Sequence, residues 1–204
     1  MTQEKVDLYK LHPEEYKATR KPGLAAIGKA SYLTIEGRGE PGSEAFTASI
    51  GALYGVAFTV KMTRKFDGRQ DYAVSKLEAQ WWRDGQANFA SAPKRDWKWK
   101  LLIRTPEFVK QKEVDRAVAV LLKRGKGKDV ERVALETLFE GECVQMLHVG
   151  PYETEQETVK AMEAFAASKG RTFQGRHHEI YLSDPRRVEA SKLKTILRMP
   201  VKTI

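Results

Sequence analysis

The sequence predicts an α+β protein built from duplicated βαββ modules that form one antiparallel sheet. Helices cover one face, and a central ligand cleft occupies the other. Three observations predict this. Each half of the chain reads in the same order: an extended stretch, a Gly- or Pro-containing breaker, an amphipathic helix, then two more extended stretches. The closing strands of the two halves are spelled alike, Lys100-Leu-Leu-Ile-Arg104-Thr-Pro106 against Lys194-Thr-Ile-Leu-Arg198-Met-Pro200, with lysine, arginine and proline at identical spacing. Finally, each helix carries one apolar stripe and must bury it on the sheet, which leaves the opposite face free to curve around a ligand.

Residues 1–20 are polar, contain Pro13 and show only a brief helical hint at Glu14-Glu15-Tyr16-Lys17. They read as an N-terminal arm ahead of a domain spanning 21–204, with halves of about 21–106 and 107–204. Leu24 to Glu36, rich in Ile, Tyr, Leu and Thr, reads as a strand. Gly37-Arg38-Gly39-Glu40-Pro41-Gly42 breaks it, and Ser43 stands where it caps a helix with Glu44 in the first turn. That helix runs to about Thr63, with Phe46, Ile50, Leu53, Ala57 and Val60 at three- and four-residue steps. Asp71 to Trp82 and Trp97 to Arg104 read as strands. Glu107 to Arg124 reads as a helix striped by Phe108, Val114, Val118, Leu121 and Leu122, followed by a short helical segment near 129–135.

In the second half a strand is expected from about Thr137 to Val149, interrupted by a turn at Glu140-Gly141-Glu142. Gly150-Pro151 ends it. A helix from Tyr152 to Ser168 follows, with Val159, Met162, Phe165 and Ala166 inward and Lys169-Gly170 as its stop. Thr172 to Leu182 and Lys194 to Val201 complete the set.

Composition narrows the function. The 204 residues suffice for a real hydrophobic core, and 41% apolar with 31% charged residues is the signature of a folded globular chain. Uninterrupted apolar runs such as Ala117–Leu122 fall short of a membrane span, so no membrane contact is expected. The polar start argues against a secretory signal. The lone Cys143 forms no internal disulfide, and His177-His178 has no carboxylate or cysteine partner at metal spacing, so neither a metal nor a cofactor is expected. These features suit the cytoplasm. A net charge of +9 permits contact with nucleic acid, but the basic residues are dispersed. Their densest run, Lys123-Arg124-Gly125-Lys126-Gly127-Lys128, is a glycine-broken loop, and a solvated basic surface is the favoured reading. Both monomer and dimer are compatible with the sequence.

The residues with chemical potential gather on predicted strands and helix starts. His177, Glu179 and Tyr181 alternate with His178, Ile180 and Leu182, so they share one strand face. Apolar Ile180 and Leu182 are expected toward the helices, which turns Glu179 and Tyr181 to the open side. A carboxylate among rings loses hydration and can act as a base or acid. A surface glutamate balanced by His177 would write the same pattern. Glu78, Trp81 and Trp82 occupy the matching strand of the first half, with one tryptophan expected in the core and the other in the cleft. Four tryptophans and Phe89 in that half favour an aromatic cleft for flat or cationic ligands. Tyr54 is one turn from Phe58 and can close one end, Phe58 itself fitting the core. Tyr152 follows the Gly150-Pro151 breaker, and His148 precedes it. Either can hold a polar ligand group or pack internally. No G-x-S-x-G, Walker, H-E-x-x-H or G-x-G-x-x-G pattern is present.

Taken in order, Ile35-Glu36-Gly37-Arg38-Gly39-Glu40-Pro41, Ala52-Leu53-Tyr54-Gly55-Val56-Ala57-Phe58, Leu77-Glu78 with Trp81-Trp82, His148-Val149-Gly150-Pro151-Tyr152-Glu153 and His178-Glu179-Ile180-Tyr181-Leu182-Ser183-Asp184-Pro185-Arg186-Arg187 resemble the GyrI-like small-molecule-binding family over roughly residues 20–202. The resemblance implies a duplicated βαββ fold with a central cleft and a binding role for an aromatic or cationic small molecule. Within it, the chain is similar to a stand-alone branch that hydrolyses cyclopropane-bearing cytotoxins of the yatakemycin type. By that likeness Glu179 activates water, Tyr152 assists proton transfer or holds the substrate, and Tyr54, Trp81 and Trp82 stack on the flat compound; His148 and Tyr181 are further candidate contacts from their positions in the pattern alone. Gln80 departs from the smaller or apolar side chain the resemblance leads one to expect. A DNA-reading module is not expected, because only about twenty residues precede the first strand. The alternative is a non-catalytic protein that sequesters or senses such a molecule.

Overall fold

A computed structural model of the chain describes residues 4–84 and 93–204, so Phe89 lies outside the described residues. The element order is α1 (Leu8–Leu11), α2 (Pro13–Tyr16), β1 (Gly23–Arg38), α3 (Glu44–Phe66), β2 (Leu77–Trp82), β3 (Lys98–Thr105), α4 (Gln111–Lys123), β4 (Ala134–Val149), α5 (Glu155–Ser168), β5 (Arg171–Phe173), β6 (His177–Tyr181) and β7 (Lys194–Thr203). The α+β class and the repeated order stand: β1-α3-β2-β3 is followed, after α4, by β4-α5-β6-β7 with the short β5 added. The described residues group into two compact units of interleaved stretches. One holds the residues up to Leu11, Ala30–Leu77 and Trp82–Leu138; the other holds His12–Lys29, Glu78–Trp81 and Phe139–Ile204.

The first unit is organised by α3. Ser43 caps it, its hydroxyl accepting the Phe46 N–H at 3.3 Å, with Glu44 in the first turn and Arg64 and Lys65 in the last. Leu53, Val56 and Val60 are buried where α3 packs on β3 and α4. By length and composition this helix could span a bilayer, which the short apolar runs did not suggest; here its inner side forms core. β1 and β3 pair antiparallel from Ser31–Thr105 to Arg38–Lys98. Buried Arg64 reaches from α3 to Glu113 of α4 at 2.7 Å and lies 4.4 Å over the Phe108 ring. The strand expected from Asp71 is confined to β2; Tyr72 instead makes an isolated bridge with Val6.

In the second unit β7 is central. It pairs antiparallel with β6 on one edge and β4 on the other, and β2 continues the sheet beyond β6 through Glu78–Ile180 to Trp81–His177. α5 covers it, with Met162 and Ala166 packed on Val144, Leu197, Met199 and Val201, and with Val159 and Phe165 alongside as expected. Two glycines account for differences from the sequence reading. Gly141 takes φ 72° within a continuous β4, so the expected interruption is only a kink. Gly175, at φ 75°, splits the expected 172–182 strand into β5 and β6.

The N-terminal segment from His12 onward is built into this unit. Tyr16 and Glu15 are buried, the Gln145 amide donates to the Glu14 carbonyl at 3.0 Å, and Arg198 donates to the Glu15 carbonyl at 2.6 Å.

Candidate functional site

Register places the site. Directly paired residues on neighbouring strands project to the same face. One row therefore runs Ala79–Glu179–Leu197–Met146, and the next runs Tyr181–Thr195–His148. Leu197 packs on Met162 of α5, so Glu179 and Tyr181 face the helix side. This reverses the expected orientation. The opposite face carries Gln80, His178, Arg198 and Gln145 in one row and Glu78 and Ile180 beside it. On it His178 is flanked by Glu78 and Glu140, Arg198 pairs with Glu140, and Gln145 and Arg198 donate to carbonyls of the N-terminal segment, so that face needs no helix to bury it. Gln80 thus lies away from Glu179 and does not shape its surroundings.

Glu179 is 8% exposed between apolar Ala79 and Leu197. The Tyr181 hydroxyl donates to it at 2.6 Å, His177 Nε2 lies 3.3 Å from its other oxygen, and the Trp81 indole donates to the Tyr181 hydroxyl at 3.3 Å. Burial and the charge of Glu179 hold the Tyr181 phenol well above its ordinary pKa, so it remains a donor. Tyr152 packs edge-on against Tyr181 at 5.9 Å and is 36% exposed. Burial, then the charge of Glu179, pushes its pKa up to about 12.

Sequence reasoning missed Glu155. It occupies the first turn of α5, where an acidic residue favours the helix whatever else it does. Here it is buried, and one ligand atom each from Glu155, His177 and Glu179 lie within 4.8 Å of one another. Its Oε1 has no hydrogen-bond partner. Burial foremost, and then the charge of Glu179, raises its pKa far above the carboxylate range. The result is a neutral carboxylic acid beside Glu179. The expectation that His177 and His178 lack carboxylate partners is overturned: Glu155, His177 and Glu179 together are a group that could hold a divalent cation, for which Glu155 would have to give up its proton. His178 contacts Glu140 at 2.9 Å and Glu78 at 3.0 Å.

The other sequence-selected residues divide. Trp81, 2% exposed, is both core and part of the Glu179 face. His148 is engaged at both ring nitrogens: Nδ1 with the Thr158 hydroxyl at 2.8 Å and Nε2 with the Pro151 carbonyl at 3.1 Å. It ties the breaker to α5 and lines an open hollow of about 280 Å³ with Arg20, Thr154 and Glu157. Tyr54 and Trp82 belong to the first unit. Tyr54 stacks on Phe58 at 6.0 Å, and Phe58 is 52% exposed rather than core.

Solved structures share this architecture. An uncharacterized conserved protein from Listeria innocua is 36% identical, with a TM-score of 0.91 over 97% of this chain and 100% of that one. A hydrolase from Listeria innocua is 35% identical, with a TM-score of 0.89 over 98% of this chain and all of its own. The EcmrR C-terminal domain, 10% identical with a TM-score of 0.61 over 90% of this chain and 98% of that one, shares the fold. No curated protein matches the sequence. The GyrI-like small molecule binding domain matches residues 32–202, and the chain belongs to that family.

Proposed function

We propose that the protein is a hydrolase that opens cyclopropane rings in flat, cytotoxic aromatic compounds, with Glu179 activating the attacking water. One observation carries this reading: a buried carboxylate, Glu179, stands within 4.8 Å of a protonated carboxyl, Glu155, amid Tyr152, Tyr181 and Trp81. Pairs of titratable groups whose surroundings push them apart divide the roles of base and acid. The likeness to the Listeria hydrolase supports the same class.

In the reaction, Glu179 takes one proton from water as its oxygen bonds to a ring carbon. The ring C–C bond breaks, and its electron pair moves to a conjugated carbonyl, which becomes an oxyanion. Glu155 gives that oxygen its proton, and Tyr152 holds the substrate from the mouth of the site. The proton on Glu179 then passes to Glu155, restoring the pair. One water has been added and no redox partner is needed. Such a detoxifying activity belongs in the cytoplasm.

The test is turnover of a cyclopropapyrroloindole drug by the purified protein, with Glu179→Gln as control. Loss of on the order of a hundredfold or more in rate is expected for removal of a general base. An unchanged rate removes the mechanism. A second reading, sequestration of a cationic aromatic molecule, is favoured by the same buried carboxyl pair acting as counter-charge. Calorimetric binding without product formation would select it.

A further inference from the structure

Glu155, His177 and Glu179 converge from two elements, α5 supplying the first and β6 the other two. All three are buried, and one ligand atom of each lies within 4.8 Å of the other two. Zinc-class ions take carboxylate oxygens and imidazole nitrogens at about 2.0–2.2 Å, so ligand atoms around one ion stand about 3–4 Å apart. His177 Nε2 and Glu179 Oε1, at 3.3 Å, already have that spacing. A shift of the Glu155 carboxyl by no more than about 1–2 Å closes the set. Glu155 also carries an unmet need: it is 8% exposed, its carboxyl meets His177 and Glu179, and its Oε1 has no hydrogen-bond partner. A buried acceptor left unpaired is costly, and a cation beside it removes the cost. We propose that Glu155, His177 and Glu179 bind one zinc-class divalent cation, and that the bound ion shuts off water activation by Glu179.

The surroundings suit an ion. The Tyr181 hydroxyl donates to Glu179 Oε2 at 2.6 Å, which leaves Oε1, the oxygen nearer His177, for the metal. The Trp81 indole donates in turn to the Tyr181 hydroxyl at 3.3 Å, so the ligating carboxylate is oriented by a hydrogen-bonded outer layer. Ala79 and Leu197, paired with Glu179 on the neighbouring strands, are apolar and hold water back. Tyr152, 36% exposed, stands where an ion can enter. Three protein ligands leave a position for water, and an imidazole among them favours zinc over magnesium or calcium, which prefer oxygen shells. A second convergent group among the described residues, His12, Glu14 and Glu15, faces solvent, with the Glu14 side chain 62% exposed, so water competes for an ion there. The shut-off rests on the hydrolytic reading, because the Glu179 oxygen that takes a proton from water is the one committed to the metal. The ion site itself does not depend on it.

Titration of the chelator-stripped full chain with Co²⁺, read by visible absorption, and with Zn²⁺, read by calorimetry, tests this. One Co²⁺ per chain is expected, with the intensified bands of an ion that has left octahedral water for a site of low coordination number, and Zn²⁺ should displace it. Binding of either ion should weaken by more than about tenfold in Glu155→Gln and in His177→Gln, since even outer-layer partners of a metal are worth that much. His12→Ala should bind as wild type does. Saturating Zn²⁺ should stop turnover of the cyclopropapyrroloindole drug, and a chelator should restore it. Missing bands, wild-type affinity in Glu155→Gln, or loss of binding in His12→Ala overturns the site. Turnover that persists at saturating Zn²⁺, or that requires it, overturns the shut-off. A stripped protein that never turns over the drug removes the hydrolytic reading and the shut-off with it, while the cobalt titration still decides the site.

Discussion

Glu155 and Glu179 present buried carboxyl oxygens within 4.8 Å of each other, one from the first turn of α5 and one from the middle of β6. A charge on Glu155 would stand unhydrated and beside Glu179, so burial first and that neighbour second hold its proton in place. The hydrolytic reading depends on that proton.

Stability reports it independently of turnover. Unfolded, Glu155 ionises near 4.5; folded, it stays protonated to far higher pH because of burial and Glu179. The unfolded chain therefore sheds a proton that the folded chain keeps, and folding weakens as pH rises past 4.5, by up to about 1.4 kcal/mol per pH unit. Glu155→Gln preserves the shape and removes this penalty. Its thermal midpoint should match wild type in acid and exceed it increasingly toward neutral pH. A variant that tracks wild type at every pH would mean that Glu155 is already ionised in the folded protein.

The opposite face of β6 makes a second pH prediction. Burial would strip the proton from His178, but Glu140 and Glu78 outweigh it and raise its pKa from 6.5 to about 9. The stabilisation is complete below 6.5 and is lost as pH climbs through about 9. Glu140 has the reverse shift. Its burial is overcome by His178 and Arg198, lowering its pKa from 4.5 to about 2, so its contribution is lost only as pH falls through about 2. His178→Gln leaves Glu78 and Glu140 without their common cation and should cost about 3–5 kcal/mol near neutrality. In denaturant titrations across pH, the His178-linked part of the alkaline decline should vanish in this variant. A retained decline of full size would assign it elsewhere.

The sequence made some of this legible and hid the rest for identifiable reasons. Ser43, the α3 stripe and the alternation joining His177, Glu179 and Tyr181 are local signals, and the structure keeps them. Which face Glu179 takes is not local. It depends on what covers the other face, and that cover comes from Glu14, Glu15 and Tyr16, whose partners Gln145, Arg198 and Glu78 stand 131, 183 and 62 residues away. A polar segment reads as a free arm until its carbonyls are seen to accept from buried donors. Glu155 was hidden differently, because an acidic first-turn residue already has a sufficient explanation in the helix itself. The repeated Lys-x-x-x-Arg spelling proved informative: Arg104 and Arg198 are both buried, although arginine is rarely buried without partners.

A last prediction concerns Gly37, whose role is spatial. It pairs with Trp99 across β1 and β3, and a Cβ added to it would stand 2.2 Å from the Trp99 ring, closer than any real contact. Trp99 is 1% exposed and meets Phe46 edge-on at 5.2 Å, so the indole has nowhere to retreat without disturbing the start of α3. Gly37→Ala should therefore cost about 1–3 kcal/mol by overpacking and alter the near-ultraviolet tryptophan signal. Gly28→Ala, in the same strand with nothing within 4 Å of its added Cβ, should be neutral or slightly stabilising. Adding Trp99→Phe to Gly37→Ala should recover part of the loss, because the smaller ring vacates the space the methyl needs. Strict additivity of the two substitutions in equilibrium unfolding would show that ring and methyl do not compete.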